Sequence, residues 1–182
     1  MEEVRSMDKL QLAVLTQWAE DAGLHGIQGR KRMQKVVYLL QQAGCPITAD
    51  YTLHHYGPYS RDVANITDVM VAEGLLAENA QGQYDYSLGE QTRPMIEQAV
   101  ARRGAAAHEF EAFHRQAVEL LKEDLWTLEL GSTILYFVRT QKDSEDWEAA
   151  LQGACRYKQV PTDHADSQKA MRLAQQIAGV AA

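Results

Sequence analysis

Cysteine is scarce in this sequence. The chain carries two, Cys45 and Cys155, far apart and in no CxxC pair, which excludes a zinc knuckle or a thioredoxin-type motif. Both read as reduced, buried thiols. Long apolar runs are missing as well, and no segment approaches the ~20 residues that cross a bilayer. Nor is a secretory leader indicated: Glu2 and Glu3 stand where a signal would carry positive charge, and no apolar core follows them. The expected location is therefore cytoplasmic, without a membrane partner. Positive charge is also short. Lysine and arginine number 18 against 25 aspartates and glutamates, a net charge of −7, which excludes a protein that coats nucleic acid nonspecifically.

That shortage is uneven. "GRKRMQK" gathers Arg30, Lys31, Arg32 and Lys35, while acidity concentrates elsewhere, as in "DSEDWE" from Asp143 to Glu148. With 182 residues, 46% of them hydrophobic and 24% charged, the chain has the make-up of a globular domain with a real core. No repeat, low-complexity tract or long linker interrupts it.

Periodicity sets out the elements. "MDKLQLAVLTQWAEDAG" places Leu10, Val14, Leu15 and Trp18 on one helical face, with Asp8 as N-cap and Gly23 as stop. "RKRMQKVVYLLQQAG" is the strongest helix, with Met33, Val36, Val37 and Leu40 as its stripe. Its basic residues fall at the positive end of the helix dipole. They call either for an anionic partner or for solvation and pairing with acidic side chains elsewhere. Residues Tyr51 to Tyr56 alternate as a short strand that Gly57-Pro58 ends. A helix follows, capped by Ser60, with Asp62 in its first turn; Val63, Ile66, Val69 and Met70 face inward and Arg61, Asn65 and Asp68 outward. Leu75 to Leu88 reads as a hairpin around Asn79–Gly82, with Tyr84, Tyr86 and Leu88 alternating on the return strand.

Helix, helix, short strand, helix and hairpin is the order of a winged helix-turn-helix. The remainder is helical, with Pro94 near a first turn, Ser144 and Asp163 as candidate caps, and "LWTLELGSTILYFVRT" as the most apolar run. The fold class is thus mainly α with a small β-hairpin: a winged-helix-like unit over 6–90 and a helical extension over 91–182, packed as one compact domain. Homodimerisation through the Leu125–Val138 helix and burial of that helix within one chain explain the same residues.

"GRKRMQKVVYLLQQAGCPITADYTLHHYGPYS" resembles the YwgA family of uncharacterised bacterial and archaeal proteins. That family carries a K-x-x-Q-K-hydrophobic-x-Y-L helix and a strand ending in Y-G-P-Y-S, matched here by Lys31, Gln34, Lys35, Tyr38 and Leu39, then Tyr56, Gly57, Pro58, Tyr59 and Ser60. "LELGSTILYF", Trp147 and "YKQVPTDHADSQKAMRLAQQ" extend the likeness over most of the chain. The Panacea domain of SocA-like antitoxins and adaptors is a more distant likeness, through its K-L-Q-K-L-hydrophobic-Y helix and Y-G-P turn. Arg32 to Tyr38, R-M-Q-K-V-V-Y, is close to that pattern but not identical. The resemblance implies a non-enzymatic protein, with antitoxin or adaptor roles in the distant relatives.

Motifs for chemistry are sparse. His108 and His114 in "HEFEAFH" lie six apart, about 120° out of phase on a helix, whereas a zinc protease needs two histidines four apart. Glu111 and His114 share a face, yet polar residues flanking Phe110 and Phe113 explain the stretch better. His54 and His55 point to opposite sides of a strand, one of them toward a core or interface. No triad order, phosphate loop or deaminase pattern occurs, and "GLHGIQG" lacks the Lys-Ser/Thr and the preceding strand of a phosphate site. No catalytic residue, metal ligand or cofactor is therefore assigned. Glu129, inside the apolar run, needs a helix start or an arginine such as Arg139 or Arg32.

The "HHYGPYSRDV" stretch turns the chain into the third helix, with Tyr56 and Tyr59 wedged against the Met33–Leu40 stripe. Two function classes follow. In the first, an adaptor or antitoxin-like regulator binds another protein through His54, Tyr56, Gly57, Pro58, Tyr59 and Ser60. In the second, a transcription regulator, dimeric on DNA, reads bases with Arg61 and Asn65 and phosphates with Arg30, Lys31 and Lys35. Asp62, Asp68, Glu78 and Asp85 oppose the second, and the acidic balance favours the first.

Overall fold

The structure is a computed structural model that describes residues 7–79, 85–140 and 146–179. It is mainly helical, with two small antiparallel strand pairs. Helix α1 (Lys9–Asp21) starts in a capping box: the Asp8 carboxylate accepts from the Gln11 amide at 2.9 Å, and the Gln11 side chain accepts from the Asp8 amide at 3.2 Å. Helix α2 (Arg30–Gln42) is the central element. Its expected stripe of Met33, Val36, Val37 and Leu40 is buried, and so are Gln34, Lys35, Tyr38 and Leu39. Neighbours on several sides cover it, so two of its polar residues lie inside the protein.

The expected Tyr51–Tyr56 strand is instead a tight hairpin. Strand β1 (Thr52–His54) runs antiparallel to β2 (Gly57–Tyr59), with Leu53 opposite Pro58 and His54 opposite Gly57. Gly57-Pro58 does not end a strand; it begins the return strand. The physical reason is Gly57, whose φ of 95° lets the chain reverse through two bulky residues, His55 and Tyr56. Pro58 offers no N–H to a ladder, and a strand at the sheet edge tolerates it.

Helix α3 (Arg61–Ala72) is capped by Ser60, whose hydroxyl accepts from the Val63 amide at 3.3 Å. Val63 and Met70 face the core as expected, but Val69 is 43% exposed, because the helix turns only a narrow face inward. Strands β3 (Leu76–Asn79) and β4 (Asp85–Leu88) form the expected second hairpin, with Leu76 opposite Leu88. Ile27 joins β4 through a reciprocal pair of backbone bonds with Tyr86, at 2.8 and 2.9 Å. Gly26 precedes it, and a Cβ there would lie 2.0 Å from the Tyr86 carbonyl oxygen. The expected turn residues 80–82, Tyr84 and the candidate cap Ser144 lie outside the described residues.

Beyond the hairpins come α4 (Thr92–Arg103), with Pro94 in its first turn, then α5 (Ala105–Glu111) and α6 (His114–Lys122). The sequence predicts one helix over "AHEFEAFHRQAVELLKED", Ala107 to Asp124. It breaks at Ala112 and Phe113, so Glu111 and His114 do not share a helical face. Phe110 stacks on Trp18 of α1 at 5.1 Å and His114 meets the same indole edge-on at 5.0 Å, which makes the break a packing feature. Helix α7 (Leu125–Thr140) packs against α2, β2, α8 (Trp147–Lys158) and α9 (Ala165–Ala178). Gly131 allows that approach: a Cβ there would sit 3.1 Å from the Ala170 carbonyl oxygen on α9. The α8 cap is Asp146, and the α9 cap is His164 in place of the expected Asp163.

One buried cluster runs from Leu15, Val36 and Leu40 through Leu120 to Ile134, Leu151 and Ala174. Leu128, Leu130, Ile134, Leu135 and Val138 of α7 are spent on this core, which leaves no apolar face of those residues for a dimer. No described helix is long and apolar enough to cross a membrane.

Candidate functional site

The first hairpin is gripped by the helix whose motif precedes it. Gln34 reads the backbone of Ser60 on both sides, donating to its carbonyl at 2.9 Å and accepting from its amide at 2.8 Å. One helical position later, the Lys35 ammonium donates to the Pro58 carbonyl at 2.6 Å. One turn earlier, Lys31 sets its ammonium over the Tyr56 ring, 3.3 Å from the centroid. Positions i, i+3 and i+4 share one helix face, so a single face of α2 holds the tip, the return strand and the α3 cap. The two motifs of the sequence are thus one device, the halves of an intramolecular clamp.

Helix α7 closes the clamp from below. Glu129 is buried in mid-helix, and neither Arg139 nor Arg32 meets it. Its carboxylate faces Lys31 at 3.7 Å and Lys158 at 3.5 Å. Lys158, from the last turn of α8, also donates to the His55 carbonyl at 3.0 Å. Gly57 lies directly on α7: a Cβ would come 2.5 Å from Thr133 Oγ1 and 3.3 Å from the Glu129 carbonyl. Burial pushes the Lys35 ammonium down to about 7, with nearby Lys158 and Lys31 adding to the fall and Glu129 opposing it. Lys158 is lowered for the same leading reason.

The tip itself is open. His54, His55 and Tyr56 are exposed, and Tyr56 keeps 48% of its surface in solvent. It therefore does not wedge against the α2 stripe. Tyr59 is half-buried and stacks on His54 at 4.7 Å. Neither histidine points into the core, because a three-residue strand at a tight turn leaves both outside; of the expected core or interface roles only the interface one is left.

The residues expected to meet DNA differ in exposure and in partners. Lys35 is 2% exposed and sealed against Pro58. Arg30 pairs with Glu78 at 3.0 Å and Asp68 at 3.4 Å. Arg32 caps the carbonyl end of α6 through Leu121 and Glu123. Arg61 and Asn65 are exposed on α3. The basic run at the start of α2 is mostly answered within the chain. Among the described residues no group of three or more His, Cys, Asp or Glu side chains is placed to hold a metal. His108 contacts Glu111 at 3.1 Å on the surface. Sequence reading missed Lys158, which lies more than a hundred residues from the hairpin it supports; no local pattern marks it.

No family model matches the chain. It is 29% identical over 116 residues to the "Uncharacterized protein YwgA" of Bacillus subtilis (strain 168), a match that covers 61% of this chain and 66% of that protein. The chain thus matches just under two thirds of that relative's length. This similarity supports a YwgA-like reading and does not extend to the Panacea domain.

Proposed function

We propose that this protein is a non-enzymatic adaptor, antitoxin-like in mode, that binds another protein through the tip of its first hairpin. The observation that carries this reading is the contrast within the hairpin. Its backbone is fixed by Gln34, Lys35 and Lys158, while the side chains of His54, His55 and Tyr56 stand in solvent. Aromatic groups held rigid before binding lose little conformational entropy on docking, and such residues dominate interface energetics. The most perturbed amine, Lys35, is enclosed and bonded to a backbone carbonyl, which supports a structural duty over a catalytic one.

A second reading, DNA binding by a winged-helix head, draws on the exposure of Arg61 and Asn65 at the start of α3. Asp62 and Asp68 on the same helix oppose it. The full chain, used as bait in a lysate of its native host, separates the two. The adaptor reading expects a protein complex that survives raised salt and Arg61→Ala but is lost when His54 and Tyr56 are both changed to Ala. Duplex DNA captured in its place, falling away with salt and with Arg61→Ala, would establish the second reading instead.

A further inference from the structure

Beneath the hairpin, three ammonium groups face one carboxylate. Lys31 and Lys158 both pair with Glu129, and Lys35 feels Glu129 as its attracting charge and the other two lysines as repelling ones. Lys31 and Lys158 together exceed Glu129 by one positive charge, and Lys35 adds a second when its amine holds its proton, at a place where Lys35 and Lys158 are nearly enclosed. An uncompensated buried charge is costly, and natural interiors rarely keep one without a counter-ion. The rest of the chain is acidic, so this concentration is not an overflow of general basicity.

Hydrogen-bond capacity is also left over. An ammonium has three donors. Lys35 donates to the Pro58 carbonyl, and Lys158 to the His55 carbonyl and to Glu129. Lys31 touches Glu129 and the face of Tyr56. The cluster opens to solvent at that end, where the Lys31 side chain is 44% and Tyr56 is 48% exposed.

We propose that this cluster is an anion site that takes a phosphoryl dianion, seated against Lys31 and Lys158 beside Tyr56, with the Lys35 charge behind it. Two negative charges match the excess with Lys35 protonated, whereas a carboxylate answers only the one on Lys31 and Lys158. The oxyanion accepts the free lysine donors. Free phosphate and the phosphate of an ester share this chemistry. The site does not depend on a protein partner docking at the tip.

Equilibrium dialysis of the full chain in a chloride background of fixed ionic strength tests it, with inorganic phosphate, phenyl phosphate and acetate as probes. Saturable phosphate binding is expected, weakened about tenfold or more by Lys31→Met, with acetate weaker than phosphate by a similar factor. Tighter binding of phenyl phosphate would mark an ester as the source, and tighter binding of inorganic phosphate the free ion. Lys31 is half-exposed, so its variants keep the fold, which circular dichroism checks, and Lys31→Gln serves as the second. Absence of saturable binding, phosphate binding indifferent to both Lys31 changes, or acetate binding equal to phosphate would overturn the proposal.

Discussion

Gly57 carries two constraints at once. Its φ of 95° disfavours any side chain, and a Cβ would press on Thr133 of α7. Gly44, with φ of 93° and nothing within 4 Å of its missing Cβ, carries only the first. Gly44→Ala should therefore cost ~1 kcal/mol, the usual cost of backbone strain, and Gly57→Ala ~2 kcal/mol or more, both read by urea unfolding. Equal losses would mean that the hairpin does not press on α7. Glu129 makes a second residue-scale case. Glu129→Ala leaves enclosed lysines without their carboxylate and should destabilise by ~3 kcal/mol, far more than removal of an exposed partner such as Glu119 from its pair with Arg115.

At the scale of elements, the α2 clamp makes β1–β2 and the start of α3 one unit. Gln34→Ala orphans the buried amide of Ser60 and removes one of the two donors to its carbonyl, which still accepts from the Ala64 amide, at an expected cost of ~2 kcal/mol in thermal or chemical unfolding. Gln34→Glu keeps the acceptor, loses the donor and buries a charge, so it should be worse than Ala. The elements themselves were largely legible in the sequence. The α2 stripe, the Ser60 cap and the Leu75–Leu88 hairpin follow from local periodicity and capping chemistry, and the structure has all three. What stayed hidden depends on distant neighbours. Local pattern cannot tell a solvated Lys35 from one sealed by a hairpin, and for Glu129 it offers a helix start or an arginine, whereas its partners are Lys31 and Lys158. The two-residue turn at His55-Tyr56 was missed because Gly-Pro reads as a stop, while the glycine here serves a positive φ within the return strand.

For the whole molecule, the buried amine ties stability to pH. In the unfolded chain Lys35 holds its proton up to about 10.4, whereas in the folded protein burial brings it down to about 7. Above about 7 the unfolded chain thus binds more protons than the folded one, and stability rises with pH; as pH falls through that value the gain is lost. Cys45 acts in the opposite sense. Burial pushes its thiol up to about 12, so unfolding is favoured once an exposed thiol ionises near about 8.5. The rise belongs between about pH 7 and 8.5, and chemical denaturation across that window should show it in the parent chain and find it flattened in Lys35→Met.

The same clamp unites all three scales, since it fixes the hairpin, encloses the lysines and leaves the tip in solvent. Amide hydrogen exchange at Ser60 tests it most directly, because the Gln34 side-chain Oε1 is the acceptor of that N–H. In the parent chain Ser60 should exchange only as slowly as the core amides of α2, through global unfolding, and in Gln34→Ala it should speed up far more than those core amides do. Exchange of Ser60 at the rate of an open loop in the parent chain would contradict the clamp.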